Sequence, residues 1–308
     1  MYHRVRYAVT SVVVLFACSI SLGQTNPSDV SATTQPAEEF LRFVPDGPEG
    51  GTLQAATATY RNRAGQTVDL IAAVHVADPA FYRALNEQFK HEDALLYELI
   101  MPKDMAISDL HDPDRPNSWI TIFQHFLTDT LKLQFQLDGI NYDAKNFVHA
   151  DLDAETFTSM QAQRGESFVT LMLQSMLQQL ANADDDNDPT GGVGPLLMAL
   201  TNPDKAMGLK LMLARQFSKM DDMLAGMEGP DGSVLITERN KAAIAVLKQQ
   251  LAAGKKHVGI FYGAGHLRGM EKILVDEMGF KKVDEQWRVA WDMTPHVRAT
   301  PATSPSPQ

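Results

Sequence analysis

The sequence predicts an α/β fold of mixed α+β character, with a central, largely parallel sheet built from both ends of the chain and a long helical insertion between them. Three observations carry this. Apolar runs of strand length alternate with helical periodicity near both ends; a histidine or glutamate closes three of those runs; and the middle shows apolar stripes at helical spacing. With 308 residues, 44% of them apolar, the chain can bury a full core.

The first residues, "MYHRVRYAVTSVVVLFACSISLG", have two arginines, an apolar run from Ala8 to Leu22 and small residues before Gly23, the pattern of a secretory signal peptide over residues 1–23. The run is shorter than the roughly 20 residues that span a bilayer, and no other stretch is long and apolar enough, so the mature chain is expected to have no transmembrane helix. Export to the periplasm or the extracellular space follows. Cys18, the only cysteine, lies inside this segment, so the mature protein would have neither disulfide nor thiol nucleophile. Lipid anchoring through Cys18 is the lesser alternative, because Phe16 suits a lipoprotein box badly and the apolar run continues past the cysteine. Residues 24–39 and the tail 294–308 are rich in Ser, Thr, Pro and Ala without periodicity and read as disordered, which leaves a single domain over 40–293.

Within that domain "TLQAATATY" and "TVDLIAAVHV", separated by "RNRAGQ", form a hairpin pattern. Asp78 is placed as an N-cap with Pro79 at the first helical position, and Phe81, Leu85 and Phe89 recur on one helical face. "ALLYEL" is then a short strand ending at Glu98, which completes a parallel βαβ unit. Near the C-terminus an amphipathic helix from Glu238 to Leu251, the strand "HVGIFY", a turn from Gly263 to His266 and a helix from Arg268 to Met278 repeat the arrangement. A last strand puts Trp287, Val289 and Trp291 on one face. The segment from about 104 to 235 reads as mainly helical; nine of the fifteen methionines lie between Met160 and Met227, consistent with core or with an adaptable groove.

His75, Glu98 and His266 each follow a strand of the expected parallel sheet, at the carboxyl edge where such sheets bind ligands. Two imidazoles and a carboxylate converging there could hold a divalent metal, or could merely be hydrogen-bonded in place. A net charge of −11, or −13 once residues 1–23 are removed (25 basic against 38 acidic), repels phosphate backbones and argues against nucleic acid as a partner. No Gly-x-Ser-x-Gly elbow and no His-Glu-x-x-His helix is present, which disfavours a serine hydrolase and an ordinary zincin. "DDDND" at 184–188 fails as a calcium loop, since Pro189 and Pro195 stand where glycine and glutamate are needed. His149 beside Asp151 and Asp153 reads as a surface turn or as support for a binding site.

The stretches "AAVHVADPAFYRALNEQFKHEDALLYEL" and "TERNKAAIAVLKQQLAAGKKHVGIFYGAGHLRGMEKILVDEMGF" resemble the two signature regions of the TraB/GumN family, which includes the TIKI membrane proteases and is similar to the erythromycin-esterase and ChaN-like fold group. Its marks are two Gly-x-x-His motifs, a glutamate after the first and an arginine before the second. Gly263 and Gly265 with His266 match the second motif, Glu98 the glutamate and Arg239 the arginine; in the first motif His75 and the following Asp78 fit, but Ala72 replaces the glycine. The resemblance implies a divalent metal (Mn, Co, Zn or Fe) on His75, Glu98 and His266, with Glu98 and Arg239 catalytic, cleaving a peptide or protein substrate. It also admits a different class: a non-catalytic peptide- or haem-binding, sequestering envelope protein. Oligomeric state is not legible in the pattern.

Overall fold

The computed structural model describes residues 39–47, 50–103, 131–165, 205–217 and 232–294. The proposed signal segment, nearly all of the linker and tail, the "DDDND" loop and most of the methionine-rich region lie outside the described residues. The fold is mixed α/β around a seven-stranded sheet. β1 (Leu41–Pro45) and β2 (Gly51–Arg61) are antiparallel, as are β2 and β3 (Thr67–Ala73). The β2–β3 turn is closed by Asn62, whose Oδ1 accepts from the Gln66 amide at 2.9 Å, and by Gly65 at φ 81°, a left-handed conformation that glycine adopts without steric cost.

After β3, the two-residue strand β4 (Val76–Ala77) leads into helix α1 (Pro79–Phe89). Phe81, Tyr82, Leu85 and Phe89 are its buried face, as the four-residue spacing requires. Asp78 occupies the N-cap position, but its side chain does not cap. Its carbonyl already accepts the Phe81 amide, and its carboxylate instead takes the Asp292 amide at 2.6 Å and Lys210 Nζ at 2.9 Å. The expected cap is therefore a tie between α1, the final strand and a helix from the central region.

Next come β5 (Ala94–Tyr97), β6 (Gln134–Phe135), which pairs with β4, and β7 (Phe147–His149). The central region is thus not helical alone, since β7 joins the main sheet beside β5. Its described helices are the single turn Gln136–Gly139, α2 (Ala154–Arg164) and α3 (Lys205–Phe217). The C-terminal part contains α4 (Arg239–Ala252), entered through a wide turn at Val234–Glu238, then β8 (His257–Gly263), α5 (Ala264–Lys272), a second wide turn at Ile273–Glu277 and β9 (Lys281–Asp292).

β3, β8, β5 and β7 lie side by side in that order, all parallel. The C-terminal strand β8 is thus inserted between the two strands of the N-terminal unit, and burial on both faces explains its nearly continuous apolar sequence. Leu70, Ile71, Leu95, Leu96, Ile260 and Phe261 are all fully buried there. On the far side β9 covers the other edge of β2. Trp287, Val289 and Trp291 do not share one face, because the register shifts between Leu53–Trp291 and Gln54–Val289 and leaves Ala290 as an extra residue. The parity changes there, so Val289 is exposed while Ala290 and Trp291 are buried.

Candidate functional site

Each of the four parallel strands delivers one side chain to its carboxyl end. His75 lies two residues beyond β3, Glu98 directly after β5, Asp151 two residues beyond β7, and His266 in the first turn of the helix that follows β8. The lateral order β3-β8-β5-β7 therefore sets His75, His266, Glu98 and Asp151 along one edge. Arg239 enters the row from the first residue of α4.

The expected turn from Gly263 to His266 is absent. β8 ends at Gly263 and α5 starts at Ala264, with Gly263 itself as N-cap. Its amide donates to Glu98 Oε2 at 2.6 Å, so the carboxylate satisfies a backbone donor at a helix N-terminus. A Cβ on Gly263 would stand 3.2 Å from that same oxygen and 3.7 Å from His266 Cδ2. Close approach of Glu98, rather than a left-handed backbone, is what glycine serves at this position. Gly265 lies in the first turn of α5 and is not at positive φ.

The guanidinium of Arg239 binds Asp151 in a two-pronged contact, Nε to Oδ1 at 2.9 Å and Nη2 to Oδ2 at 2.6 Å. Nη2 also reaches Glu98 Oε1 at 2.6 Å, and Nη1 stands 3.3 Å from His266 Nε2. The arginine, both carboxylate side chains and His266 are all nearly or fully inaccessible to solvent. Burial opposes the charge on Arg239, but Glu98 and Asp151 outweigh it and hold the guanidinium firmly protonated. Burial likewise pushes Glu98 up, but Arg239, both histidines and the Gly263 amide together bring it well below the usual carboxylate range.

His266 is neutral for the opposite reason. Burial, with Arg239 and His75 adding to it, lowers it to about 3 against the pull of Glu98. Asn240, next to Arg239, decides which nitrogen holds the proton. Its Nδ2 donates to the His266 carbonyl at 3.0 Å, so its Oδ1, 2.7 Å from His266 Nδ1, accepts the ring N–H. The Nε2 lone pair is left facing Arg239 Nη1 and Glu98 Oε1, the latter 3.7 Å away. His75 repeats the pattern: its Nδ1 lies 3.1 Å from Gln136 Oε1, while Gln136 Nε2 donates to the Tyr142 hydroxyl at 2.8 Å. The β4–β6 pairing places Gln136 there, and its amide donates to the His75 carbonyl at 2.9 Å. His75 itself is solvent-exposed at the front of the site.

The structure thus brings Glu98, Arg239 and His266 into direct contact and sets His75 at the same edge, while Asp78 belongs to another corner of the fold. Ala72 is the buried next-to-last residue of β3, opposite Tyr262, so its methyl is absorbed by the core. Asp151, Asn240, Gln136 and Tyr142 complete the site; of these, only Asp151 left a trace in the sequence, as an acid just past "FVH". His149 turns away from the row, its Nε2 donating to the Leu99 carbonyl at 2.7 Å, and Asp153 caps α2 through Thr156.

The donor chemistry suits a divalent ion. Both imidazoles carry the proton on Nδ1 against a side-chain amide oxygen, which makes Nε2 the unprotonated nitrogen of each, although that of His266 is engaged by Arg239 Nη1, and two carboxylates face a single guanidinium. The spacing is not closed, however: among the described residues no group of three or more His, Cys, Asp or Glu side chains stands at metal-binding distances, and Arg239 lies between Glu98 and His266. No family model, curated protein or solved structure matches the chain.

Proposed function

We propose that the protein is an exported, divalent-metal-dependent hydrolase that cleaves peptides at the carboxyl edge of its parallel sheet. The observation that carries this reading is the pair of histidines locked by Asn240 and Gln136 with Nε2 unprotonated, next to a buried carboxylate held ionised. His75, His266 and Glu98 would hold the ion, which when bound supplies Lewis-acid polarisation of a carbonyl and a water acidified towards neutral pH. Asn240 keeps the His266 lone pair directed into the site, and Asp151 anchors Arg239 from behind. Arg239 has an Nη1 hydrogen beyond the one directed at His266, and this is the donor offered to negative charge that develops on a substrate oxygen. The exposed position of His75 makes its side of the row the entrance for substrate. Export rests on the pattern of residues 1–23, and a peptide substrate on the motif resemblance.

A second reading has its own observation. Arg239 engages Asp151, Glu98 and His266 together, as a structural lock beneath a binding surface would, and this favours a non-catalytic peptide- or haem-binding protein. Metal titration of the mature chain by calorimetry, followed by a peptide library with Mn, Co, Zn and Fe in turn, separates the two. The hydrolase reading expects one ion per chain, loss of that ion in His266→Ala, and metal-dependent cleavage. Peptide binding without cleavage under all four metals would overturn it.

A further inference from the structure

At the opposite end of the parallel strands lies a second pair of acids that the proposed chemistry does not use. Asp69 is on β3, and its register partners are Thr59 on β2 and Gly259 on β8. Glu92 sits in the turn before β5, is 7% exposed, and crosses over Gly259 to meet Asp69. A Cβ on Gly259 would come within 3.2 Å of the Glu92 carboxyl carbon and 2.6 Å of Leu95 Cδ1, so the missing side chain is what leaves room for the crossing. Asp69 Oδ1 and Glu92 Oε2 are both buried and find no donor among the described residues, although the two carboxyl groups lie within hydrogen-bonding reach of each other. Two buried carboxylates facing one another repel and leave lone pairs unsatisfied; one carboxylic acid donating to one carboxylate removes both penalties.

We propose that Asp69 and Glu92 share a single proton, and that this proton is a latch fastening the turn after α1 to the sheet, released when the pair is fully ionised.

The surrounding groups agree with a shared proton and do not replace it. From β9, Asp284 adds negative charge while Arg288 adds positive charge; Arg288, however, directs its Nη1 to Thr57 Oγ1 and Gln88 Oε1. From β8, His257 faces Asp69, but its Nδ1 is engaged with Thr67 Oγ1 at 2.7 Å. β2 contributes the neutral Thr59 hydroxyl, α1 the neutral Gln88, and the turn itself Asp93, whose carboxylate is bound to the amides of Lys256 and His257. Burial, then the charge of Asp69, pushes Glu92 up to about 8. The folded chain therefore holds a proton that the unfolded chain releases near the ordinary glutamate value, and the folding constant should fall roughly tenfold per pH unit across the window between them.

The test is urea unfolding of the mature wild type and of Glu92→Gln at intervals from pH 5 to pH 8. Taking the difference cancels the histidines and every other group that titrates in both proteins. A glutamine donates permanently to Asp69, so Glu92→Gln should gain stability relative to wild type by about one power of ten in the folding constant per pH unit. Asp69→Asn should behave alike if Glu92→Gln folds poorly. In the infrared spectrum at pH 7, wild type should show a protonated-carboxyl band that is absent from Glu92→Gln. A stability difference independent of pH, or no such band, would overturn the proposal.

Discussion

Replacing Arg239 by Met tests the electrostatic core of the site. The thioether fills much of the same volume but withdraws both donors from Asp151 and the donor at Glu98 Oε1, leaving Glu98, among the described residues, with the Gly263 amide at Oε2. Removing one partner from a buried ionic cluster costs about 3–5 kcal/mol, out of a total stability of about 5–15 kcal/mol for a typical protein. The sign of the pH dependence follows from the shifts. In wild type the Glu98 carboxyl is held below its unfolded value, so its contribution is present above that value and lost as pH falls through the folded one. Without the guanidinium, burial is the dominant influence and Glu98 becomes a proton-retaining group, so Arg239→Met should lose stability relative to wild type as pH rises from about 4 to 7, by about 1.4 kcal/mol per unit for one proton, the difference cancelling groups such as His266 that titrate in both proteins. Urea unfolding followed by circular dichroism at pH 4.5, 6 and 7.5 measures this. A further Asp151→Leu change should recover part of the loss, because an apolar group replaces a stranded charge. A single variant within about 1 kcal/mol of wild type, with unchanged pH slope, would refute the account of Arg239 as the compensating charge.

Other outcomes follow from single contacts. Gly263→Ala should move Glu98, costing about 1–3 kcal/mol by thermal unfolding and weakening any metal binding, since the new methyl meets Oε2 at 3.2 Å. Asn240→Leu should leave the Nδ1 proton of His266 without its acceptor, while Asn240→Asp keeps one; nitrogen-15 correlation spectra of the imidazoles should show the Nδ1 signal displaced in the first variant only, and identical spectra would dismiss the clamp. Trp291→Phe removes the indole bond to the Val76 carbonyl at 2.6 Å and should cost about 1–3 kcal/mol in urea unfolding, because that carbonyl is left buried.

Much of the framework is readable in the chain itself. Period-2 and period-3.6 patterns mark β2, β3, α1, α4 and β8, because those elements bury one face or both against a core that tolerates only apolar side chains. His75 and Glu98 are visible for the same reason: each is the polar residue at which an apolar strand stops, and His266 is the first polar side chain after β8, inside the helix that follows. Arg239 stands out through motif resemblance, not through its spacing. β7 went unread since three residues are too few to show a period, and the bulge at Ala290 because an extra residue is recognisable only once Leu53 and Trp291 are paired.

What tertiary structure decided is who meets whom. The insertion of β8 between β3 and β5 brings Gly263 to Glu98 and Gly259 beneath Glu92, contacts spanning more than 160 residues of sequence. Charge compensation by Asp151, tautomer choice by Asn240 and Gln136, and the pairing of Asp69 with Glu92 all depend on distances of a few ångströms between separate elements. Sequence alone could determine where polar residues interrupt apolar runs, since burial is a local demand on residue type. It could not determine whether a buried charge is neutralised by an arginine, a proton or an ion, since that depends on which strand ends the sheet order sets side by side.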